Sequence, residues 1–280
     1  MIPASFDYIR PSTVEDAVNA LSEAGDEGKV LAGGQSLLPV LRLRMAAPAL
    51  LIDLGGLPQL RGVRTEDDTL VIGAMTTHAT LASHPLVVEG APLLAQAAAT
   101  VGDRQVRHRG TIGGSLAHAD PAGDLPTVAV ALDALIVLAG MDGRRTVAAK
   151  DFFTDLFTTA LRPDELVVEV RVPKLDGWGV HYAKLNRTAQ AWATVAVAAA
   201  VRRDNGSIVE AKVALTNMGP TPVRASAVES AIANGEGVDA AASHAAEGAS
   251  PTSDTTASAE FRSHLATVLT RRALTAASAL

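Results

Sequence analysis

The sequence has no cysteine among its 280 residues. Disulfide bonds, a thiolate nucleophile and cysteine ligands for an iron–sulfur cluster are therefore excluded within this chain. Charged residues are also sparse at 19%, whereas hydrophobic residues make up 48%. This composition is typical of a globular protein and not of a disordered one, and the length suggests about two domains.

An excess of positive charge is missing too, since the formal net charge is -6. Nucleic-acid binding is disfavoured because phosphate backbones attract clustered Lys and Arg. The longest apolar run, AWATVAVAAAV, is shorter than the roughly 20 residues that cross a bilayer. The first residues, MIPASFDYIRPSTVEDA, lack the basic and apolar segments of a signal peptide. We therefore expect a cytoplasmic protein.

Residues 1–55 show the pattern of a small αβαβ unit. A capping box of Ser12 and Glu15 predicts where the first helix begins. The predicted elements are, in order, a helix ending at Gly25, a strand over 29–32, a helix over 37–46 and a strand over 49–54. The segment GGQS then lies at a turn from a strand into a helix.

Residues 56–175 combine strands and helices in a second unit. Thr77 is expected to cap a short helix and Asp124 to cap a longer one. Strands are predicted over 69–74, 134–140, 144–149 and 165–173, and helices over 92–101 and 125–134. The glycine-rich stretch 111–115 is predicted as a loop.

A third unit, residues 176–280, opens with a strand over 181–185. A hairpin over 193–203 and 207–217 is predicted around Asp204-Asn205-Gly206. The alanine-rich first arm of this hairpin also suits a helix by propensity, but the Asn-Gly turn favours a strand. The fold class predicted for the whole chain is α+β.

The end of the chain is expected to be helical. Residues 235–258 are rich in Ala, Ser, Gly and Thr and predict a weakly packed helix with a mobile loop. The closing helix places Phe261, Leu265, Val268 and Leu269 on one face.

Two glycine pairs are candidates for holding a phosphorylated ligand. They lie in AGGQS, residues 32–36, and in TIGGS, residues 111–115, about 80 residues apart. Glycine leaves the main-chain N–H groups accessible to an anion and also permits a positive φ. Neither segment matches G-x-G-x-x-G, and the chain has no G-x-x-x-x-G-K-[ST], which disfavours a Rossmann dehydrogenase and a P-loop nucleotidase. Each pair alone also suits an ordinary tight turn, but together they predict a clamp on one diphosphate.

Four segments of the chain closely resemble the FAD-binding medium subunit of molybdenum hydroxylases, the carbon monoxide dehydrogenase and xanthine dehydrogenase family. They are AGGQSLLPVLRLR, VRHRGTIGGSLAHADPAGDLP, HYAKLNR and ASAEFRSHLATVLTRRAL. The resemblance implies a two-part FAD-binding domain, with a small αβαβ unit over 1–55 and a larger mixed-sheet unit over 56–175. A C-terminal α+β domain with an antiparallel sheet would follow over 176–280. It also implies a small [2Fe–2S] subunit, a large molybdopterin subunit, assembly as a dimer of heterotrimers, and an external electron acceptor.

The resemblance also implies which residues bind FAD. Those expected at the diphosphate and its neighbouring groups are Ala32, Gly33, Gly34, Gln35, Ser36, Leu37, Thr111, Ile112, Gly113, Gly114 and Ser115. Asp124, Leu166 and Lys184 match further positions near the cofactor, and a lysine beside the ring stabilises negative charge on reduced flavin. This sequence departs from the family at two positions, since Ser115 and His108 stand where asparagine is common. No catalytic residue and no metal ligand are expected in this chain.

Other interpretations of the same residues stay open. Asp124 is also explained as a helix cap alone, Lys184 as an exposed strand lysine and Leu166 as a core residue. The basic turn of Arg104, Arg107 and Arg109 is explained more simply as a solvated or subunit-facing surface than as a phosphate contact. For the whole protein, a free-standing flavin oxidoreductase and a scaffold subunit that has lost FAD remain alternatives. The resemblance also implies that the pocket that selects the substrate lies on the molybdopterin subunit.

Overall fold

A computed structural model describes residues 2–279. Its N-terminal unit is a parallel three-stranded sheet in the order β1-β3-β2. The elements of this unit are β1 (Asp7–Ile9), α1 (Val14–Ala24), β2 (Gly28–Leu31), α2 (Leu37–Arg42) and β3 (Leu50–Asp53). The predicted αβαβ unit is therefore confirmed, with β1 as an additional edge strand.

Helix α1 begins one residue later than predicted. Thr13 is its N-cap, and the Thr13 hydroxyl accepts a hydrogen bond of 3.0 Å from the Asp16 N–H. Ser12 and Glu15 therefore do not form the predicted capping box, because Thr13 occupies the N-cap position in place of Ser12. Gly25 ends the helix as predicted, with a φ of +53°.

The second unit is an antiparallel five-stranded sheet in the order β4-β5-β10-β6-β7, flanked by helices. Its strands are β4 (Val63–Glu66), β5 (Thr69–Gly73), β6 (Leu135–Gly140), β7 (Gly143–Ala148) and β10 (Leu166–Pro173), with a small β8 (Phe153–Asp155) and β9 (Thr158–Thr159) pair beside them. Its helices are α3 (His78–Ser83), α4 (Pro85–Gly90), α5 (Pro92–Thr100), α6 (Arg104–Arg109), α7 (Ile112–His118), α8 (Asp124–Ala131) and α9 (Ala149–Phe152). Thr77 caps α3 as predicted, since its hydroxyl accepts from the Thr80 N–H at 3.2 Å.

Two local predictions in this unit are wrong. Most of the stretch 111–115 is not a loop but the first turn of α7, with Thr111 as its N-cap. Asp124 is not the cap of α8, because Gly123 occupies that position and Asp124 is the first helical residue. The Asp124 carboxylate is taken up by other partners, described below.

The first two units share one core. Val14, Val18 and Leu21 of α1 pack in a buried cluster that includes Leu166 and Val168 of β10. This packing holds the end of β2, and with it the first glycine pair, over one face of the five-stranded sheet.

The third unit is an antiparallel four-stranded sheet in the order β11-β12-β13-β14. Its elements are β11 (Trp178–Leu185), β12 (Val195–Asp204), β13 (Ser207–Thr216), β14 (Val223–Arg224), α10 (Ser226–Ala233), α11 (Val238–Ser243) and α12 (Ala259–Ser278). The alanine-rich segment is strand, as the Asn-Gly turn predicts. Ala196 and Ala198 face the core of the second unit, while Val195 and Val197 face the helices of the third. An apolar residue at every position suits a strand that is covered on both faces.

Two expectations about the C-terminal helices need correction. Phe261 is 48% exposed, and the buried position beside it is Arg262, which is 1% exposed. Residues 235–258 are not weakly packed throughout, because Ala241 and Ala245 are fully buried in the core that includes α12. Small side chains let α11 approach α12 closely, so alanine serves here as a core residue.

No helix within residues 2–279 combines the length and the apolar character that a membrane span requires. The same residues contain no cluster of three or more His, Asp or Glu side chains arranged to hold a metal ion.

Candidate cofactor-binding site

The two glycine pairs, far apart along the chain, meet in the folded protein. Gly33 is so close to the second segment that a Cβ atom there would lie 2.2 Å from the carbonyl oxygen of Arg109. A Cβ atom on Gly114 would lie 3.4 Å from the Cβ of Ala32. Only glycine at position 33 permits this approach. The structure therefore brings segments 32–36 and 111–115 together, as a clamp on one ligand requires.

The first glycine segment offers unpaired main-chain donors. The N–H groups of Gly33, Gly34, Gln35 and Ser36 form no hydrogen bond with any described residue. Gly33 and Gly34 are themselves buried, and Gly34 has a φ of +77°. Buried N–H groups nearly always have a partner, so a bound anion suits this segment.

The second glycine segment is built differently. The N–H of Gly113 donates to the Ala74 carbonyl at 2.8 Å, and the N–H of Gly114 donates to the Thr111 hydroxyl at 3.1 Å. The N–H of Ser115 donates to the Thr111 carbonyl at 3.0 Å. The expectation of free N–H groups in both segments is therefore met only by the first.

The glycines of the second segment instead allow close packing. A Cβ on Gly113 would lie 2.6 Å from the Cβ of Ala74, and one on Gly114 would lie 2.9 Å from the Thr111 hydroxyl oxygen. Gly113 lets α7 pack against the end of β5, while Gly114 keeps the surface beside Ala32 free of a side chain. An extended phosphorylated ligand fits here because the surface at Ala32 and Gly114 carries no large side chain and the first segment offers free N–H groups.

Asp124 and Lys184 form a buried ion pair. The Lys184 ammonium lies 2.8 Å from one Asp124 carboxylate oxygen, and the two side chains are only 6% and 3% exposed. The ammonium also donates to the Thr100 carbonyl at 3.3 Å, at the end of α5. Lys184 is therefore not an exposed strand lysine, and its positive charge is balanced by Asp124. The resemblance implied that this lysine stabilises negative charge on a ligand, whereas in the structure Lys184 is paired with Asp124.

Tyr182 completes this polar cluster, and the sequence analysis missed it. Its hydroxyl donates to the other Asp124 oxygen at 2.6 Å, and it lies 3.4 Å from the Thr216 hydroxyl. Burial, followed by the negative charge of Asp124, raises the pKa of Tyr182 well above its usual range, so the hydroxyl stays a donor. Thr216 donates in turn to Thr127 at 2.8 Å. The signal was available: Tyr182 stands two residues before Lys184, on the same face of β11.

Leu166 takes a different place. It is 3% exposed and belongs to the core between α1 and the five-stranded sheet, against which Ala32 also packs. The structure thus places Leu166 in the core against which the first glycine segment packs. The buried pair of Asp124 and Lys184 lies elsewhere, at the junction of α5, α8 and β11.

Two cavities lie at the ends of α7. One of about 240 Å³ adjoins Ala32 and Thr111, at the start of the helix. The other, of about 450 Å³, adjoins Asp120 to Ala122 after the helix ends, and it is bordered by the exposed aromatic side chains of Phe157 and Trp192. Burial raises the pKa of Asp120 above its usual value.

The fold and the meeting of the glycine segments suit a protein that binds an extended phosphorylated cofactor. The family described as "FAD binding domain in molybdopterin dehydrogenase" matches residues 4–175. The family described as "CO dehydrogenase flavoprotein C-terminal domain" matches residues 180–277. This chain therefore belongs to the family of FAD-binding medium subunits of molybdenum hydroxylases, which confirms the resemblance seen in the sequence and the predicted α+β fold class.

Individual relatives match over nearly their whole length. The carbon monoxide dehydrogenase medium chain of Hydrogenophaga pseudoflava is 43% identical, over 99% of this chain and 98% of the relative. The glyceraldehyde dehydrogenase medium chain of Sulfolobus acidocaldarius is 38% identical, over 98% of each chain. The caffeine dehydrogenase subunit beta of a Pseudomonas species is 35% identical, over 99% of this chain and 96% of the relative.

Solved structures agree with these relatives. One is carbon monoxide dehydrogenase from Hydrogenophaga pseudoflava, in a form that lacks the Mo-pyranopterin moiety of the molybdenum cofactor. It matches with a TM-score of 0.97 and 44% sequence identity, over 100% of this chain and 99% of the other. Quinoline 2-oxidoreductase from Pseudomonas putida 86 has a TM-score of 0.94 and 31% identity, with the same coverage.

Proposed function

We propose that this chain is the FAD-binding electron-transfer subunit of a heteromeric molybdenum hydroxylase. Bound FAD supplies the capacity to accept electrons and to pass them on. In this proposal a small partner subunit with [2Fe–2S] clusters delivers electrons that were removed from substrate in a large molybdopterin subunit. An external acceptor then takes the electrons, and the subunits assemble as a dimer of heterotrimers.

The observation that carries the proposal is the contact between the two glycine segments. Gly33 lies against Arg109, and Gly114 lies against Ala32, so a single ligand is able to touch both segments. The unpaired N–H groups from Gly33 to Ser36 supply donors of the kind that bind a diphosphate.

The remaining residues have supporting roles in this proposal. Ile112, Gly113 and Ser115 shape the start of α7, and Leu37 opens α2 after the donor segment. Leu166 contributes to the apolar cluster against which Ala32 packs. Asp124 and Lys184 act as one neutral unit and not as separate charges.

The domain boundaries are part of the proposal. Residues 1–55 and 56–175 would form the two halves of the FAD-binding domain, and residues 176–280 the C-terminal domain. Each range holds one of the three larger sheets, and the small β8-β9 pair lies within the second range, which supports the division.

The test is the flavin content of the chain, purified with its co-expressed partners. We expect flavin absorbance near one FAD per chain in the wild type and its loss in Gly114→Asp, since this change puts a side chain and a negative charge against Ala32 and Thr111. Gly237→Asp is the matched control, because nothing lies within 4 Å of a Cβ at that position. Wild-type protein without flavin contradicts the proposal, and full occupancy in Gly114→Asp contradicts the role of the second segment. Substrate turnover by the isolated chain would favour a free-standing flavin oxidoreductase.

A further inference from the structure

A loop of the third unit borders the larger of the two cavities at the ends of α7. This loop, residues 186–194, joins β11 to β12 and brings the exposed side chain of Trp192 to the cavity of about 450 Å³. Pro121 and Ala122 of the second unit line the same cavity. We call it the inter-unit cavity, because the second and third units both contribute to its lining.

Asn217 connects the two sides of the inter-unit cavity. It directly follows β13 and lines the cavity itself. Its main-chain N–H donates to the Pro121 carbonyl at 2.8 Å, in the second unit. Its side-chain amide donates to the Ala193 carbonyl at 2.8 Å and to the Thr194 carbonyl at 3.3 Å, at the end of the loop. One residue therefore holds both the second unit and the loop that carries Trp192.

The backbone of Asn217 fits this connecting role. Its φ is +62°, in the left-handed region that asparagine adopts more readily than most other residues. An uncommon backbone conformation persists where the surrounding contacts fix it, and such positions are often functional. The three hydrogen bonds of Asn217 are contacts of this kind.

A second side chain anchors the same end of the loop. Arg262 is almost fully buried, donates to the Thr194 carbonyl and pairs with Asp254 at 2.6 Å. Residues 187–190 of the loop, in contrast, are exposed to solvent. The position of Trp192 therefore depends on the anchors at its C-terminal side, because an exposed loop has few contacts of its own.

We propose that Asn217 is a positioning residue that sets the width of the inter-unit cavity. Removal of its amide leaves the main-chain bond to Pro121 in place but releases the loop at Ala193, so Trp192 moves away from its present position. Helix α7 leads from the second glycine segment to this cavity. A change in the width of the cavity therefore weakens FAD binding, a consequence that rests on the proposed function.

The test measures the solvent access of Trp192 in the full chain without FAD. Trp178 and Trp192 are the two tryptophans of the sequence, so Trp178→Phe leaves Trp192 as the reporter for acrylamide quenching of fluorescence. The test variants are Asn217→Gly and Asn217→Asp, because both residues accept a positive φ and neither supplies the amide. The matched controls are Asn205→Gly and Asn205→Asp. Asn205 also has a positive φ, of +47°, but lies exposed in the turn between β12 and β13.

We expect the quenching constant of Trp192 to rise by about twofold in the Asn217 variants, through local opening of the loop, and to stay unchanged in the Asn205 variants. The affinity for FAD should fall by about tenfold in the Asn217 variants alone, as the loss of one or two hydrogen bonds predicts. Circular dichroism verifies that each variant is folded at the temperature of the measurement.

The reciprocal background, Trp192→Phe, distinguishes positioning from a general loss of structure. Trp178 then reports quenching at the start of β11, and it should be unaffected by Asn217→Gly. An equal rise for Trp178 and Trp192 assigns Asn217 a merely structural role and overturns the proposal. Unchanged quenching of Trp192 overturns it too, and so does unchanged FAD affinity in a variant whose Trp192 has become accessible. Wild-type chain that binds no FAD contradicts the proposed function, and the quenching of Trp192 still decides whether Asn217 positions the loop.

Discussion

Lys184→Met is the most informative single change, because it removes one charge from a buried pair. The ammonium lies 2.8 Å from the Asp124 carboxylate, and both side chains are almost fully buried. Methionine keeps most of the length of the side chain and leaves Asp124 with Tyr182 as its hydrogen-bond donor. An uncompensated buried charge costs about 3–5 kcal/mol.

We therefore expect the free energy of unfolding to fall by about 3–5 kcal/mol in Lys184→Met. For a chain of this size, each kcal/mol lowers the unfolding midpoint by about 2–4 °C. The measurement is circular dichroism during thermal and urea unfolding of FAD-depleted protein, since a bound ligand would itself shift the midpoint. Adding Asp124→Asn to Lys184→Met removes the remaining charge and should recover part of the loss.

Lys212→Met is the matched control. Lys212 also contacts an aspartate, at 2.6 Å, but the partner Asp133 is 51% exposed. Pairs exposed to water contribute about 0–1 kcal/mol, so this variant should unfold close to the wild type. A loss in Lys184→Met no larger than the loss in Lys212→Met would refute the description of Asp124 and Lys184 as a buried, mutually dependent pair.

Two further outcomes follow from packing and from burial. Gly33→Ala should lower the free energy of unfolding by about 1–3 kcal/mol and reduce flavin retention, because its Cβ would lie 2.2 Å from the Arg109 carbonyl oxygen; Gly237→Ala, with no such neighbour, should do neither. Burial, with a smaller contribution from Arg107, lowers the pKa of His78 to about 4. The unfolded chain, in which histidine has a pKa of about 6.5, binds this proton more readily than the folded chain. The contribution of neutral His78 to the free energy of unfolding is therefore complete above a pH of about 6.5 and is lost below it. The loss amounts to about 2 kcal/mol between pH 8 and pH 5. His78→Leu should flatten urea-unfolding stability over that range; an unchanged slope would contradict the assignment.

Local pattern was sufficient for most of the secondary structure. The αβαβ order of the first 55 residues and the two arms of the hairpin depend on side-chain periodicity and on turn residues, which act over a few positions. The alanine and valine residues of 195–201 also suit a helix by propensity, and the Asn-Gly turn indicated the strand that the structure contains. Caps were less predictable: Thr13 replaces Ser12 and Gly123 replaces Asp124, because neighbouring residues with similar propensity compete for one position.

The chain's own residues also indicated the family, through the glycine pairs and the DPAGDLP continuation. What only the tertiary structure decided is which groups face one another. It showed that Gly113 serves packing at a helix start, that Tyr182 fixes Asp124, and that Arg61 joins Arg109 in one cleft. These relations join residues tens of positions apart, and they arise when whole sheets pack together. A local pattern specifies the element in which a residue lies, whereas its partners depend on how the elements are arranged in space.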